Sequence, residues 1–161
     1  MKIEILSSEN ETFKHIYTIR DCDWGAGKFL FELVTEGRMT EMLGSFHDVL
    51  LLTDGDELIS FCTFAEMDDV QPTELKPWVG FLYTFPERRG HRYAGVLLDE
   101  AARRAAQKGA EYVYISTNHV GLYEKYGFEF FGTQKDVWGE DTRVYRKSTA
   151  SYRGQEQKKG S

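Results

Sequence analysis

The chain has 161 residues with a formal net charge of -6 at pH 7, and 41% of the residues are hydrophobic. This length and composition predict one domain with a sizeable core, and the acidic balance argues against general nucleic-acid binding. The two cysteines, Cys22 and Cys62, give neither metal-ligand spacing nor a disulfide framework. The first residues are too polar for a signal peptide and no apolar run approaches ~18 residues, so we expect a cytoplasmic protein without a membrane span.

The first half of the chain predicts strand, helix, helix and hairpin in that order. Ile3 and Ile5 alternate with polar residues, which indicates a strand, and apolar residues at helical spacing follow twice. Two β-rich runs then flank Asp54 and Gly55, a strong hairpin signal. The predicted elements are a strand over 2–7, helices over 7–24 and 27–39, and a hairpin over 47–66.

The second half begins with a polar loop that contains two prolines. It then predicts a buried strand over 78–86, a helix over 91–108, a strand over 111–116, a short helix over 119–127, and strands over 128–134 and 142–147. Gly80 inside the first of these strands indicates a bulge or a close backbone approach. We expect residues 1–147 to form the single domain and the polar residues 148–161 to form a flexible tail.

This order of elements predicts an α/β fold with one mixed sheet. A strand, helix, strand crossover lies at its centre, and such a crossover joins parallel strands. The remaining connections favour antiparallel pairing. The expected architecture is therefore a mixed, mostly antiparallel central sheet with helices on both faces.

A cluster of basic residues stands directly before the predicted long helix, in the stretch PERRGHRYAGVLL. A helix N-terminus carries unpaired N–H groups and a partial positive charge, so it attracts anions. Arg88, Arg89, His91 and Arg92 add side-chain donors there, and Gly90 lets the backbone approach a ligand. This arrangement suits a pyrophosphate.

The same cluster has a second interpretation as an ordinary solvated surface. Basic residues at a helix start oppose the helix dipole by a few tenths of a kcal/mol each, a cost that a bound anion would offset. The stretch is neither a Walker phosphate loop nor the glycine-rich dinucleotide fingerprint.

The stretch PERRGHRYAGVLL resembles the pyrophosphate loop of the GNAT superfamily, the acyl-CoA-dependent N-acetyltransferases. In that family Gln or Arg is followed by two residues, Gly, one residue, and then Gly or Ala. Arg89 fills the first of these positions and Ala94 the last, whereas Arg92 stands where glycine is usual. A positive φ at that position would strain an arginine.

A second stretch, STNHVGLYEKYGFEFFG, resembles the other signature of the same family. There an Asn precedes a short helix with a Leu-Tyr pair and then a Gly-Phe pair. Asn118, Tyr123 and Gly127 occupy the corresponding positions here. The order of elements matches the family's from about Lys2 to Lys147, so the resemblance implies a GNAT-like fold over most of the chain.

The resemblance implies acetyl-CoA as co-substrate and no metal. In the family, the strand before the loop separates from its neighbour, and the pantetheine arm pairs with its free backbone groups; the alternative is a simple core strand. Asn118 would bind that arm or cap a helix. The implied acetyl-CoA-binding residues are Leu82, Tyr83, Thr84, Arg89, Gly90, His91, Arg92, Tyr93, Ala94 and Asn118.

Tyr123 is the candidate catalytic residue, as the proton donor to the departing thiolate, because it matches the family's tyrosine and a phenol stays protonated at neutral pH. Alternatively Tyr123 only packs its helix, and Tyr126 on a similar face could be confused with it. The base that deprotonates the acceptor amine stays open. Candidates are a water chain and the acids at the end of the hairpin, namely Glu66, Asp68 and Asp69.

The expected function is transfer of an acetyl group to a primary amine of a small molecule, by direct attack in a ternary complex. Asp21, Asp23 and Trp24 could hold an amine cation, or they could form a helix cap and a packing contact. The alternatives are a non-catalytic acyl-CoA sensor or interaction module, and a nucleic-acid-binding domain that the acidic charge disfavours. The resemblance is compatible with a homodimer, and it selects neither an acceptor nor an acyl chain length.

Overall fold

A seven-stranded sheet organises residues 1–153, the part of the chain that the computed structural model describes. Its spatial order is β1-β2-β3-β4-β5-β7-β6, and within these residues β4 and β5 form the only parallel pair. This confirms the predicted mixed, mostly antiparallel sheet. The strands are β1 (Lys2–Ile5), β2 (His47–Asp54), β3 (Glu57–Ala65), β4 (Trp78–Thr84), β5 (Tyr112–Thr117), β6 (Glu129–Lys135) and β7 (Asp141–Ser148).

The helices are shorter and more numerous than the sequence pattern predicts. The first predicted helix is a 3-10 turn followed by α1, and α3 is an additional helix beyond Gly37, whose φ of 69° ends the previous one. The predicted short helix over 119–127 is a single 3-10 turn over Tyr123–Tyr126. The α-helices are α1 (His15–Arg20), α2 (Gly25–Thr35), α3 (Met39–Leu43) and α4 (Tyr93–Gln107). No helix among the described residues has the length and apolar character needed to cross a bilayer.

The two faces of the sheet carry separate cores. Leu50 and Leu52 of β2 pack in the cluster that contains α4, whereas Val49 and Leu51 pack with α1, α2 and α3. Alternate side chains of a strand point to opposite faces, so a strand covered on both sides is apolar throughout. α4 buries a stripe of small residues against the sheet, which allows a close approach: Leu97, Leu98, Ala101, Ala102, Ala105 and Ala106.

β4 and β5 separate soon after they begin. Their ladder joins only Trp78 to Tyr114 and Val79 to Ile115. On its other edge β4 contains a bulge, because Phe81 and Leu82 together stand opposite one residue of β3, and Phe81 has a φ of 50°. The bulge turns the second half of β4 away from β5, so a gap opens between the two strands.

The start of the predicted tail packs against α4. Thr149 is buried and its hydroxyl donates a hydrogen bond of 2.5 Å to the carbonyl oxygen of Ala110. Tyr152 is buried as well, and its hydroxyl donates to Asp99 of α4 at 2.5 Å. We propose that the folded domain extends at least to Arg153; the rest of the predicted tail, residues 154–161, lies outside the described residues.

Truncation of Tyr152 is expected to lower the free energy of unfolding in two steps. Tyr152→Phe removes only the hydrogen bond to Asp99 and should cost about 1 kcal/mol. Tyr152→Ala also removes the ring from the core and should cost about 3 kcal/mol. Denaturant unfolding of the wild type and both variants measures the difference, and three equal stabilities would mean that this segment does not contribute to the fold.

Candidate functional site

A cavity of about 610 Å³ opens where β4 separates from β5, and we call it the loop cleft. Its walls are the second half of β4, the loop over 85–92, the first turn of α4 and the 3-10 turn over Tyr123–Tyr126. Most of the site residues predicted from the sequence meet in this cleft. They are Leu82, Tyr83, Thr84, Arg89, Gly90, Arg92, Tyr93, Ala94 and Tyr123.

His91 and Asn118 lie outside the loop cleft. His91 is exposed and its ring lies 5.4 Å from that of Tyr93, centre to centre. Asn118 is also exposed and lines a second, neighbouring cavity. The structure therefore brings these two predicted residues near the cleft without placing them in its wall.

Arg89 and Arg92 carry the uncompensated positive charge of the loop. Arg88 forms an ion pair with Glu57, which raises the pKa of its guanidinium. Arg89 instead donates from Nε to the carbonyl oxygen of Thr84 at 2.9 Å, and Arg92 lies over the ring of Tyr126. Within residues 1–153 neither arginine has a carboxylate at ion-pair distance, so both charges remain available to an anion at the start of α4.

The backbone of Arg92 has the conformation that the family's usual glycine would favour. Its φ of 61° and ψ of 28° lie in the left-handed region, and α4 consequently begins at Tyr93 rather than at the predicted His91. Gly95, in the first turn of α4, has little room for a side chain, because a Cβ there would lie 2.7 Å from Cε1 of Tyr126. The loop thus combines a strained arginine with a close contact between α4 and the 3-10 turn.

A second cavity of about 360 Å³ adjoins the loop cleft, and we call it the acid pocket. The two cavities share Trp24, Leu82, His119 and Tyr123 as wall residues. Beyond this common wall the acid pocket contains two carboxylates and a set of aromatic rings: Asp68, Asp69, Phe29, Phe81 and Trp138. The site is therefore a pair of adjoining cavities with a common wall, one lined by arginines and one by aspartates.

Tyr123 stands on the wall between the two cavities. It is 7% exposed, and burial raises the pKa of its hydroxyl to about 12, so the phenol holds its proton at neutral pH. No residue in the described part of the chain forms a hydrogen bond with this hydroxyl. Tyr126 lines only the loop cleft and is held by Arg92, which distinguishes the two tyrosines that the sequence could not separate.

Of the three acids at the end of the hairpin, Asp68 and Asp69 line a cavity. Asp68 is 9% exposed, and burial, followed by the charge of Asp69, raises the pKa of its carboxyl to about 8. Burial also raises the pKa of Asp69, whose Oδ1 has no hydrogen-bond partner within residues 1–153. Glu66 lies apart, because it accepts a 3.0 Å hydrogen bond from the backbone N–H of Ser45.

Gly80 provides the space for Asp68 beside β4. A Cβ at Gly80 would overlap the carboxylate, with Cγ of Asp68 only 2.7 Å away. The sequence indicated a bulge or a close approach at Gly80, and both are present. After the bulge, Leu82 lines both cavities and Phe81 lines the acid pocket, while the close approach holds Asp68 beside Gly80.

Tyr83 of β4 contacts the segment between α1 and α2 through a hydrogen bond and a stacked ring. The Tyr83 hydroxyl donates to the carboxylate of Asp23, and the ring of Trp24 stacks on that of Tyr83 with centres 5.6 Å apart. Burial, followed by the bond to Asp23, raises the pKa of Tyr83 to about 12. Asp23 therefore does not cap α2, while Trp24 does pack, and Asp21 forms a surface ion pair with Arg20.

Across residues 1–153, no group of three or more His, Cys, Asp or Glu side chains is arranged to hold a metal ion. The charges that face the cavities suit organic ions instead: an anion at Arg89 and Arg92, and a cation at Asp68 and Asp69.

Comparison with known proteins gives one family. The model of the acetyltransferase (GNAT) family matches residues 8–128. Several solved structures share the fold, including the following three. An aminoglycoside 6'-N-acetyltransferase from Enterococcus faecium is 15% identical with a TM-score of 0.65, and the match covers 92% of this chain and 97% of that chain. A spermidine N-acetyltransferase variant from Vibrio cholerae is 16% identical with a TM-score of 0.60, covering 94% of this chain and 95% of that chain. A GNAT family acetyltransferase from Elizabethkingia anophelis with acetyl-CoA bound is 13% identical with a TM-score of 0.60, covering 91% of this chain and 97% of that chain. A search of curated protein sequences finds no match.

Glycine at position 92 is expected to be more stable than alanine. Arg92→Gly and Arg92→Ala both remove the guanidinium. The difference between their free energies of unfolding therefore reports the cost of a Cβ in this backbone conformation. With φ at 61°, a side chain costs about 1 kcal/mol more than glycine does, after allowance for the greater freedom of an unfolded glycine. Thermal or denaturant unfolding measures the difference. Equal stabilities would contradict a left-handed residue at this position.

Asp68→Asn is expected to raise the free energy of unfolding, by an amount that grows with pH. The pKa of Asp68 is raised to about 8 in the folded chain, so this carboxyl contributes full stability only below its unfolded pKa of ~3.9 and loses that contribution as the pH rises through about 8. Asparagine keeps the shape without ionising. Denaturant unfolding should show a gain on the order of 2 kcal/mol at about pH 9 and a much smaller gain at about pH 5. A gain independent of pH would count against a buried, ionising Asp68.

Proposed function

Because the chain belongs to the acetyltransferase (GNAT) family, we propose that it transfers an acetyl group from acetyl-CoA to a primary amine of a small molecule, by direct attack in a ternary complex. The observation that carries this proposal is the pair of adjoining cavities that both have Tyr123 in their walls. One cavity has free cationic groups at a helix N-terminus and the other has buried acids. A diphosphate-bearing donor and a cationic acceptor fit these opposite charges.

The loop cleft fits acetyl-CoA in three respects. Arg89 and Arg92 stand without carboxylate partners at the start of α4, where the helix dipole also favours a phosphate. Gly90 has a φ of 89° and nothing within 4 Å of where its Cβ would be, so the loop backbone is open to a ligand. Beyond Val79, β4 has an edge without a strand neighbour, and an amide-bearing arm can pair with its free backbone groups.

Tyr123 supplies the proton that the reaction needs on the donor side. Acetyl-CoA contributes a thioester, whose sulfur leaves as a thiolate of ordinary pKa near ~8.5. The Tyr123 hydroxyl keeps its proton at neutral pH, has no competing hydrogen bond in the described residues, and lies between the two cavities. A proton held at this oxygen can pass to the sulfur as it departs.

The acid pocket supports a small amine as the acceptor. Its volume of about 360 Å³ holds part of a small molecule, and its aromatic walls and carboxylates suit a cation. The structures that share the fold include acetyltransferases of aminoglycosides and of spermidine, which are both amines. These neighbours support the class of acceptor, and the particular amine is a matter for assay.

The proposal is tested by acetyl-CoA calorimetry together with CoA release across a panel of amines. Arg89→Ala is expected to weaken acetyl-CoA binding about tenfold, because it removes an uncompensated cation from the cleft. Tyr123→Phe is expected to keep that binding and to lower kcat at least 100-fold, since it removes only the proton donor. Tyr17→Phe, an exposed tyrosine of α1 that lines neither cavity, serves as the matched control and should match the wild type.

Two results would contradict the proposed transfer, and a third would contradict only the role of Tyr123. Absence of acetyl-CoA binding would remove the donor site. Binding without CoA release on any amine would favour a sensor over an enzyme. Full activity in Tyr123→Phe would exclude this residue from the chemistry while leaving the transfer itself intact.

A further inference from the structure

Asp68 is a buried acid with little local compensation. It is 9% exposed, and no side chain in the described part of the molecule donates a hydrogen bond to it. Its neighbour Asp69 has a buried Oδ1 without any partner within residues 1–153. A charged group in this condition is costly unless an opposite charge reaches it. Since both residues line the acid pocket, a cation in that pocket is the group that would compensate them.

We propose that Asp68 is the general base of the reaction, binding the ammonium group of the acceptor together with Asp69 and then taking its proton. This inference rests on the proposed acetyltransferase function and deepens it by assigning the acceptor side of the site. Asp68 is the catalytic residue of the pair, because it lies at the gap between β4 and β5, while Asp69 holds the cation from the side of the β6–β7 connection.

The geometry favours Asp68 over every other acid near the site. Its carboxylate lies against Gly80, whose missing side chain leaves this space free, and the bulge residue Phe81 follows directly. Asp23 is engaged by the Tyr83 hydroxyl. β4 itself carries no acid, so a carboxylate base near the gap comes from a neighbouring segment. Asp68 and Tyr123 both line the acid pocket, so the proposed base and the proposed proton donor face the same cavity.

The rings around the pair strengthen the case for a cation. Trp24, Phe29, Phe81 and Trp138 line the same pocket, and aromatic faces attract ammonium groups. Trp138 lines the pocket and is 64% exposed, so its ring is open to solvent. The pocket therefore combines aromatic faces with carboxylates.

The proton and electron transfers balance without any further reactant. The ammonium gives one proton to the Asp68 carboxylate, and the freed lone pair of the nitrogen forms the N–C bond to the acetyl carbonyl carbon. The thioester C–S bond breaks with its electron pair on sulfur, which takes the Tyr123 proton. The second proton that the nitrogen sheds restores the Tyr123 hydroxyl, and Asp68 returns its proton to solvent.

The test compares Asp68→Asn, Asp69→Asn and the control Glu74→Gln with the wild type. Glu74 is an exposed acid of the same loop and lines neither cavity. CoA release is followed from neutral to alkaline pH with spermidine, kanamycin and tryptamine, and acetyl-CoA binding is measured by calorimetry. The other titratable groups facing Asp68 or its neighbour are Asp69, His119, Tyr123 and Asp136.

Asp68→Asn is expected to keep acetyl-CoA affinity and to lower kcat/KM about 100-fold near neutral pH. Its pH profile should move upward toward the pKa of the free amine, ~10.4 for a lysine-like group, because only the already neutral amine can then react. Asp69→Asn should mainly raise the KM for the amine and keep the wild-type pH profile. Glu74→Gln should match the wild type.

A wild-type rate and pH profile in Asp68→Asn would overturn this inference while the proposed function stands. A low rate with an unshifted profile would also overturn it, since it would assign Asp68 a structural or binding role only. Absence of CoA release by the wild type with all three amines, while acetyl-CoA still binds, would overturn the proposed function and this inference together. A thermal melt of each variant shows whether a lost rate reflects unfolding.

Discussion

β4 and β5 are joined by only two residue pairs, although β4 continues to Thr84 and β5 to Thr117. Neighbouring strands in a sheet normally lie ~4.8 Å apart, a spacing that leaves no room for a ligand. The bulge at Phe81 and Leu82 ends the pairing and turns β4 outward. Both cavities open in the resulting gap, so the site depends on a pairing that is cut short.

Several features that lower the stability of the fold lie around this gap. Phe81 and Arg92 are the non-glycine residues with positive φ in residues 1–153, and both line a cavity. Each such conformation costs on the order of 1 kcal/mol. Asp68 adds a buried carboxyl beside them. The packing of the α4 alanine face and of β2 between two cores stabilises the fold enough to offset this strain. Strain concentrated in this way is typical of functional sites.

The sequence predicted the order of strands and the long helix because those signals are local. The β-rich runs of β2 and β3, the turn at Gly55 and the glycine after α4 are signals that each cover a few residues. The loop residues from Arg89 to Ala94 were predicted together for the same reason. Short elements such as α3 and the 3-10 turn were missed or misjudged, since tertiary contacts rather than periodicity decide them.

The sequence offered several acids and a tryptophan for the proposed acceptor side and could not choose among them. Asp68 was one of several acids at the hairpin end, and its burial follows from its contact with Gly80, twelve positions along the chain. Trp24 reaches the site only because Tyr83 binds Asp23 from another element. Glycine within a strand indicated a close approach without naming the partner. Contacts of this kind depend on the path of the whole chain, so they produce no periodic pattern in the sequence.

The shared wall of the two cavities couples their electrostatics. Leu82 and Tyr123 face both spaces, so a ligand in the loop cleft covers one side of the wall and excludes water from it. Removal of water lowers the local dielectric constant, and the attraction between an ammonium and the Asp68 carboxylate then becomes stronger. The same change makes the isolated carboxylate less favourable. Under the proposed function, a donor in the loop cleft therefore strengthens the binding of a cationic acceptor in the acid pocket through electrostatics.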